Sequence, residues 1–387
     1  MRILVGTRKG TFMVERAGGA WRPRLVGHAG VGVNFVTRDP NSGALWAALG
    51  HGHWGAKLSR SNDDGVTWQD ATQIKYPAGA KYLAHPDPDP NASDADAQQG
   101  LRARDATLLK LWVIAFGRPG QIHVGTIPGG LFTSHDDGAS FELNLPLWNH
   151  ESRGGDLFAG PGNGVTHWYG TPASDGEFAA GIHSIAVDPR DPERMLIAVS
   201  TAGVLETRDG GKTWQSRNRG MLNDYLPDPA AEWGHDPHFV ARCESAPEHV
   251  WQQNHAGVFY SADGAQTWSK VSQPERGVHF GFPVAVDETD GKTAWLVPGK
   301  ADMQRMTING QLFVARTRDG GQTWEELRKG LPQDEAYDVV YRHALDHRAS
   351  HLAFGSTTGN LYVSDDSGDS WQTVANNLPP IYSVRFG

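Results

Sequence analysis

Cysteine is nearly absent from this sequence, since Cys243 is the single one among 387 residues. An intramolecular disulfide and a zinc site built from several cysteines are therefore excluded. Long hydrophobic runs are also missing: no stretch of about 18 apolar residues occurs, and Met1 to Thr7 do not resemble the apolar part of a secretion signal. These absences predict a cytoplasmic protein without a membrane anchor.

An excess of basic residues is lacking as well. The 35 Lys and Arg residues are outnumbered by 44 Asp and Glu residues, which gives a net charge of -9. General nucleic-acid binders and acidic-membrane binders present a basic face, so neither partner is expected. Apolar residues make up 39% and charged residues 20% of the chain, which permits a sizeable core. The 47 glycines and 14 tryptophans are typical of an all-β protein with many tight turns.

One eight-residue pattern recurs six times along the chain. It consists of Ser or Thr, any residue, Asp, any residue, Gly, any residue, Thr or Ser, and an aromatic residue. The copies occupy residues 61–68, 134–141, 207–214, 261–268, 317–324 and 364–371. Asp, Ser and Thr side chains bond nearby backbone N–H groups, and Gly adopts positive φ, so the pattern predicts a hairpin turn. The aromatic residue begins the next strand and buries its ring between neighbouring sheets.

This pattern resembles the Asp-box, or bacterial neuraminidase (BNR) repeat, of sialidase-like β-propellers. The resemblance extends over nearly the whole chain. The most extensive resemblance is to an uncharacterised bacterial group labelled glycosyl hydrolase. It rests on residues 234–238 and 344–371. The repeat is a folding device, so the resemblance implies a β-propeller more specifically than it implies an activity.

The strands around one repeat predict a four-stranded blade. Strand A covers 182–187, strand B 195–200 and strand C 204–207, and Trp214 begins strand D. The same register fits the other repeats. A seventh blade, without the repeat, begins at the N-terminus and lacks strand A, which residues 381–386 supply. We predict one seven-bladed domain over 1–387, closed by the last strand pairing into the first blade.

Four connections are longer than a turn requires. Three link strand D to the next strand A, at about 71–107, 144–180 and 216–236, and one links strands B and C at 299–310. In a propeller both kinds of connection share one face, called the top, and long loops mark functional candidates. The Pro- and Asp-rich residues 85–98 are interpreted as a solvated loop, with a lid or a calcium-binding excursion as alternatives.

Alignment of the seven A strands brings one residue per blade to the top mouth of the central channel. These residues are Asn34, Trp112, His183, His238, Phe282, Tyr337 and Tyr382. Four of them are His or Tyr, which is unusual on apolar inner strands. Ligand sites favour such concave openings. The alternative for each residue alone is a structural role with bonds to channel water.

The catalytic candidates are His183, His238, Asp236, Tyr337 and Tyr382. Asp236 precedes a proline and is therefore expected to be extended, which points it to the same side as His238. We expect His238 to act as a general base that Asp236 orients, and Tyr382 to act as a second acid or a nucleophile. The alternative is a divalent metal bound by imidazole and carboxylate groups. No other cofactor is expected.

Residues on the rim are candidates for binding a small-molecule or glycan ligand. Arg305 is expected to clamp an anionic group, with Asp302 and Lys300 beside it. The further candidates are His235, Glu151, Arg153, Asn34, Trp112, His51 and His53. The alternative for 299–310 is a surface loop held by salt bridges.

Sialidases usually carry an Arg-Ile-Pro signature, whereas Leu4 follows Arg2 and Ile3 here, and they have six blades rather than seven. The resemblance implies a glycan-directed hydrolase or lyase acting at the channel mouth. The alternative is a non-catalytic binding propeller, similar to the Asp-box assembly factors of photosystem II. The net charge of -9 and the ring of His and Tyr residues favour the enzyme.

Overall fold

Seven antiparallel sheets of four strands each make up the computed structural model of this chain. The structure describes residues 1–84, 102–153, 168, 180–224, 226 and 228–387. The innermost strand of each sheet contacts the innermost strand of the next, and the last sheet contacts the first. The fold is therefore a seven-bladed β-propeller, as predicted.

The strands run in chain order from the first blade to the strand that closes it. They are β1 (Arg2–Thr7), β2 (Gly10–Ala17), β3 (Ala20–Gly27), β4 (Gly32–Arg38), β5 (Leu45–His51), β6 (Gly55–Ser61), β7 (Gln69–Asp70), β8 (Lys81–Ala84), β9 (Arg102–Asp105), β10 (Lys110–Phe116), β11 (Ile122–Ile127), β12 (Leu131–Ser134), β13 (Glu142–Leu143), β14 (Ile182–Asp188), β15 (Asp191–Val199), β16 (Gly203–Thr207), β17 (Gln215–Ser216), β18 (Pro237–Arg242), β19 (Val250–Asn254), β20 (Gly257–Ser261), β21 (Ser269–Lys270), β22 (Gly281–Val286), β23 (Ala294–Pro298), β24 (Val314–Thr317), β25 (Glu325–Leu327), β26 (Leu345–Arg348), β27 (His351–Gly355), β28 (Leu361–Ser364), β29 (Gln372–Ala375) and β30 (Ile381–Phe386).

Blade 1 is closed by the two ends of the chain. Its strand order is β3-β2-β1-β30, and β30 pairs antiparallel with β1, with Ile3 opposite Phe386 and Val5 opposite Val384. Blades 2 to 7 each take four consecutive strands, beginning at β4, β10, β14, β18, β22 and β26. The predicted closure by the C-terminal strand is confirmed.

The apolar B strands are buried on both faces, because each blade is packed between two others. In β15, Met195, Ile197 and Val199 belong to the core shared with blade 3. Leu196 and Ala198, on the opposite face of the same strand, belong to the core shared with blade 5. Strands buried on both faces read as continuous apolar runs rather than alternating ones. Each such aliphatic side chain contributes about 1.5–3 kcal/mol by leaving water.

The eight-residue repeats form turns with one shared hydrogen-bond pattern. In the first copy, Ser61 Oγ accepts from Gly65 N–H at 2.8 Å and donates to Asp63 Oδ1 at 2.8 Å. Asp63 also accepts from the N–H and hydroxyl of Thr67, at 2.8 and 2.6 Å. The corresponding contacts recur in the other five copies.

One copy departs from the pattern. Residues 261–268 carry Ala265 where the other five copies have Gly, and Ala265 keeps the left-handed backbone with φ 71°. A left-handed conformation costs an L-residue with a Cβ about 1–2 kcal/mol. The turn hydrogen bonds and the complete burial of Ala265 are retained despite that cost.

The tryptophan that ends most repeats links its blade to the preceding one. Four indole N–H groups donate across the boundary: Trp68 to Val26 O, Trp214 to Asn144 Oδ1, Trp268 to Arg217 O and Trp324 to Val271 O, at 2.7–3.1 Å. The repeat therefore stabilises a turn and an inter-blade contact at once.

The long connections carry little regular structure where the structure describes them. Within 71–107, β8 and β9 form a separate hairpin, and residues 85–98 lie outside the described residues. Within 144–180, a short helix α1 (Leu145–Trp148) precedes a 3-10 turn at Glu151–Arg153. A second 3-10 turn covers Pro274–Arg276. Among the described residues, no helix is long and apolar enough to span a membrane.

Candidate active site at the channel mouth

Six of the seven predicted ring residues lie at irregularities in the pairing of the innermost strand. The register skips Asn34, Trp112, His183, His238, Phe282 (with Pro283) and Tyr382. A β-bulge leaves its extra residue outside the ladder and re-aims the side chain. Five of these blades thus leave one residue outside the strand pairing, and blade 6 leaves two.

Blade 7 differs from the prediction at Tyr337. This residue is 58% exposed and lies outside β26. The equivalent position belongs to His343: Leu345, two residues later, pairs with Phe354 as the second residue after each bulge does in the other blades. His343 also forms an isolated bridge with Ser383 of blade 1. His343 therefore holds the equivalent position in the strand alignment, although its side chain packs below the mouth, and placing Tyr337 there was wrong.

Arg342 reaches across the mouth. Its guanidinium lies 4.7 Å from the ring centroid of Trp112 in blade 3 and 5.7 Å from that of Phe282 in blade 6. Its Nε donates to the backbone carbonyl of His238 at 2.9 Å. One side chain thus contacts three blades, which places a positive charge over the ring.

Aromatic side chains form much of the wall around Arg342. Phe282 stacks on His238 with centroids 4.8 Å apart, and Tyr341 meets Phe282 edge to face at 5.8 Å. Tyr341 also lies 6.3 Å from Tyr382, whose blade is next in the ring. Phe280 packs against His238 at 5.5 Å. Such faces offer apolar contact area beside the polar groups of the mouth.

At this mouth a carboxylate, that of Asp236, lies between two imidazoles. Asp236 Oδ2 lies 3.7 Å from His238 Nε2 and 3.8 Å from His255 Nδ1. One ligand-type atom from each of the three residues lies within 4.8 Å of the others. His255 sits in the turn between β19 and β20 and donates its backbone N–H to Asp236 O at 2.9 Å. We call these three residues the Asp–His–His cluster.

The hydrogen bonds of His238 fix its tautomer. Nδ1 lies 2.6 Å from the carbonyl oxygen of Gly281, and a carbonyl only accepts, so Nδ1 carries a hydrogen. Nε2 then faces Asp236 at a separation longer than a hydrogen bond. The imidazole is therefore held by the Gly281 carbonyl at Nδ1 and faces the Asp236 carboxylate with Nε2.

Asp236 is an anion at neutral pH. Burial raises the pKa of its carboxyl, but His238, His255 and the backbone N–H of Thr201 outweigh burial and hold that pKa well below its usual range. The Thr201 N–H donates to Oδ1 at 3.1 Å. Asp236 thus connects a turn of blade 4 to the turn of blade 5 that carries His255.

His183 was predicted to be catalytic, but its side chain is not accessible to solvent. Its side chain is fully buried, it meets Trp112 edge to face at 5.4 Å, and Nδ1 lies 2.9 Å from Ser184 Oγ. Burial and the nearby charge of Arg342 lower its pKa well below the usual value. The imidazole is therefore neutral at pH 7.

Below the mouth, side chains fill the channel. His343 packs between Phe35 and Phe239, with centroids 5.0 and 5.5 Å away, and its Nε2 donates to His183 O at 2.7 Å. The Arg385 guanidinium lies over the same two phenyl rings, at 5.1 and 5.8 Å. These four side chains therefore pack together in the channel beneath the ring.

The loop 299–310 reaches the ring from blade 6. Arg305 pairs with Asp302 at 2.7 Å, and its guanidinium lies 5.5 Å from the centroid of Phe282. A small cleft there is bordered by Phe282, Arg305 and the buried Asp338. Lys300 is exposed on the same loop. Arg305 and Asp302 thus lie at the edge of the mouth, in contact with the ring through Phe282.

Other predicted binding residues have structural partners away from the cluster. His235 is fully buried, accepts at Nδ1 from the Asn223 side-chain amide and donates from Nε2 to Ala231 O at 2.7 Å. Arg153 lies between the rings of Trp148 and Trp168, at 4.0 and 4.3 Å. Burial lowers the pKa of Arg153 to about 9.

Three more predicted residues lie apart from the Asp–His–His cluster in blades 2 and 3. Asn34 Nδ2 donates to Leu111 O at 3.3 Å. His51 Nδ1 accepts the backbone N–H groups of His53 and Trp54 in the turn after β5, both at 3.1 Å. Glu151 is exposed on its 3-10 turn.

Sequence reasoning missed Arg342, His255 and Tyr341. His255 carried a usable signal, because it lies in the B–C turn of the blade that supplies His238. Arg342 and Tyr341 precede the true ring residue of blade 7. They were missed because the apolar pair Val339 and Val340 was taken as the start of the innermost strand.

No family model matches the chain. Among curated proteins, it is similar to an oligoxyloglucan-reducing end-specific xyloglucanase of Emericella nidulans. The two are 29% identical over 239 residues, which are 53% of this chain and 28% of that protein. A xyloglucanase of a Paenibacillus species is 24% identical over 238 residues, which are 52% of this chain and 22% of that protein. The chain spans less than a third of the length of either relative.

Solved structures share the fold. An ancestral GH74 enzyme matches with a TM-score of 0.56 and 17% identity, over 93% of this chain and 40% of that chain. YCF48 from Cyanidioschyzon merolae matches with a TM-score of 0.53 and 14% identity, over 94% of this chain and 90% of that chain. At these identities the likeness concerns the propeller architecture alone.

Proposed function

We propose that this chain is a glycan-directed hydrolase that acts at the top mouth of its channel, and that it belongs with the Asp-box propellers. The observation that carries the activity is the Asp–His–His cluster: one half-buried carboxylate between two imidazoles. A carboxylate whose pKa is lowered by neighbouring imidazoles is typical of functional sites. The similarity to two xyloglucanases over half of the chain supports a glycan as the substrate.

The surroundings of the cluster suit a sugar chain. Tyr341 and Tyr382 supply partly exposed aromatic rings, while Arg342 and Arg305 supply N–H donors for hydroxyl or carboxylate oxygens. A glycan presents both kinds of surface, since its ring faces are apolar and its edges carry hydroxyl groups. The substrate is expected to lie across Arg342, with the bond to be cleaved beside His255.

Hydrolysis adds water across the glycosidic bond. The water oxygen bonds to the anomeric carbon, the bond to the leaving oxygen breaks, one proton leaves the water and one reaches the leaving oxygen. Most glycosidases divide these proton transfers between two carboxylates. The cluster, as far as the structure describes the mouth, combines one carboxylate with two imidazoles, so we assign the proton transfers to this mixed set.

The test is an oligosaccharide panel with product analysis by chromatography and mass spectrometry. The panel contains xyloglucan oligosaccharides, neutral β-glucan oligosaccharides and uronate-containing oligosaccharides. We expect the purified protein to cleave at least one class, with the mass of water added to the products. Asp236→Asn and His255→Ala should each lower the rate about 10²–10⁴-fold.

The matched control is His135→Ala, because His135 is exposed in the repeat turn 134–141 and lies outside the cluster. It should retain the wild-type rate. Unsaturated products would indicate a lyase, and binding without cleavage would indicate a binding propeller. Unchanged rates in both Asp236→Asn and His255→Ala would contradict the proposed location of the active site.

A further inference from the structure

We propose that Asp236, His238 and His255 bind one divalent transition-metal ion of the zinc type. The ligand atoms are Asp236 Oδ2, His238 Nε2 and His255 Nδ1. A role of this ion in cleavage rests on the function proposed above, but the binding itself does not, and it is measured without a substrate.

The spacing of the three atoms suits a shared cation better than direct contact. The carboxylate oxygen lies 3.7 and 3.8 Å from the two imidazole nitrogens, beyond the length of a hydrogen bond. Zinc binds oxygen and nitrogen ligands at about 2.0–2.2 Å, so adjacent ligands of a tetrahedral site lie roughly 3.4 Å apart. The two carboxylate–imidazole distances exceed that value by a few tenths of an ångström, and the two imidazole nitrogens lie within 4.8 Å of each other.

The tautomer of His238 supplies an independent argument. Its Nδ1 hydrogen is committed to Gly281 O, so Nε2 is the ring nitrogen that faces the Asp236 carboxylate. Nε2 and Oδ2 are thereby turned towards the same point, where a divalent ion would bond to both groups.

The partners of the ligands resemble those of known metal sites. Histidines that bind metals usually donate their other ring N–H to a backbone carbonyl or a carboxylate, and His238 does so to Gly281. Asp236 is also held by the backbone: Oδ1 accepts the Thr201 N–H, and Oδ2 is turned towards the imidazoles. These second contacts fix the orientation of two of the three ligands.

The ligand set selects the class of metal. Two imidazoles and one carboxylate suit zinc and its first-row neighbours, whereas calcium and magnesium prefer oxygen ligands alone. Three protein ligands leave a fourth position of a tetrahedral ion for water or substrate, which is the arrangement of catalytic zinc sites. The side chain of His255 is 34% accessible, so this ligand is not enclosed by the described residues.

The experiment measures metal content and affinity on the full chain. Protein stripped with a chelator is dialysed against ZnCl₂, MnCl₂ or CaCl₂ and analysed by elemental mass spectrometry and titration calorimetry. We expect one zinc per chain, weaker manganese binding and no calcium binding. His255→Ala and Asp236→Asn should each weaken zinc binding at least about 100-fold, since loss of an outer-shell partner alone typically costs 10–100-fold.

His135→Ala is again the control, because it removes an exposed histidine in the repeat turn 134–141, away from the cluster, and should leave zinc binding unchanged. Co²⁺ replaces zinc as a spectroscopic probe, and its visible absorption should weaken in both cluster variants. Absence of zinc binding by the wild-type protein, or equal binding by both variants, would overturn the proposal. Zinc binding without glycan cleavage would retain the metal site and reject the hydrolase, and chelator-resistant cleavage by a protein without zinc would do the opposite.

Discussion

The guanidinium of Arg342 holds the carbonyl of His238 through a 2.9 Å hydrogen bond, although the two residues are 104 positions apart. The bond meets the backbone of blade 5 at the residue that the strand pairing skips. Arg342 therefore stabilises the bulge that turns His238 towards Asp236, and its own position depends on Trp112 and Phe282 on either side.

Replacement of Arg342 by lysine should separate its charge from its shape. Lysine keeps the positive charge but lacks the planar group that stacks on two rings while donating to a carbonyl. We expect oligosaccharide affinity to fall about tenfold, because cation–π contacts contribute roughly 0.5–2 kcal/mol. Titration with a cleaved oligosaccharide measures this. Arg318→Lys, in the repeat turn 317–324, should change nothing, and an equal loss there would refute the specific role of Arg342.

Removal of residues 380–387 should destabilise the whole protein rather than one blade. The deletion takes away β30, exposes the edge of β1 and opens the ring. Thermal unfolding of the truncated chain is expected at a much lower temperature or without a cooperative transition. Ile381→Ala, at a fully buried position of β30, should cost about 2–5 kcal/mol. Arg22→Ala on the exposed outer strand is the control, and a truncation as stable as wild type would refute closure by this strand.

Trp214→Ala should cost about 3–5 kcal/mol in the free energy of unfolding. The indole is 7% exposed, packs in the core between blades 3 and 4, and donates to Asn144 Oδ1 at 3.1 Å. Denaturant unfolding provides the measurement. Trp54→Ala removes an indole that is 70% exposed and should stay within about 0.5 kcal/mol of wild type. Similar costs for the two variants would contradict the inter-blade role of Trp214.

Asp209 should make stability sensitive to acid. Hydrogen bonds from Thr213 lower the pKa of its carboxyl to about 2. A carboxyl whose pKa is lower in the folded than in the unfolded protein contributes stability above the unfolded value, near 3.9, and loses it as pH falls through the folded value. Wild-type stability should therefore drop between about pH 4 and 2, and Asp209→Asn should show a smaller drop. Asp334→Asn, an exposed loop variant, should follow wild type; parallel curves for all three proteins would exclude the mechanism.

The sequence was sufficient for the fold because the repeat and the apolar strands are local signals. The turn bonds of Asp63 and the strands around Trp214 depend on residues within one blade, so spacing alone predicts them. Blade 7 shows the limit: Val339 and Val340 are as apolar as a strand, but the residues that pair with β27 begin at Leu345. Periodicity does not distinguish these two segments.

The cluster was predicted only in part, since its decisive contacts join distant residues. Asp236 and His238 lie two positions apart, and their common direction followed from the extended backbone. His255 reaches them from the next turn of the blade, and the Gly281 carbonyl that sets the tautomer of His238 belongs to another blade. A backbone acceptor has no sequence signature, because every residue carries one.

The bulges at the channel mouth allow side chains to differ between blades while the strand pairing stays the same. A residue that the strand pairing skips contributes no ladder bond, so its side chain can change from Asn to Trp, His, Phe or Tyr while the strands on both sides keep their register. This chain displays those five choices side by side at equivalent points. Exchange of a skipped residue should therefore leave the strand register of its blade unchanged.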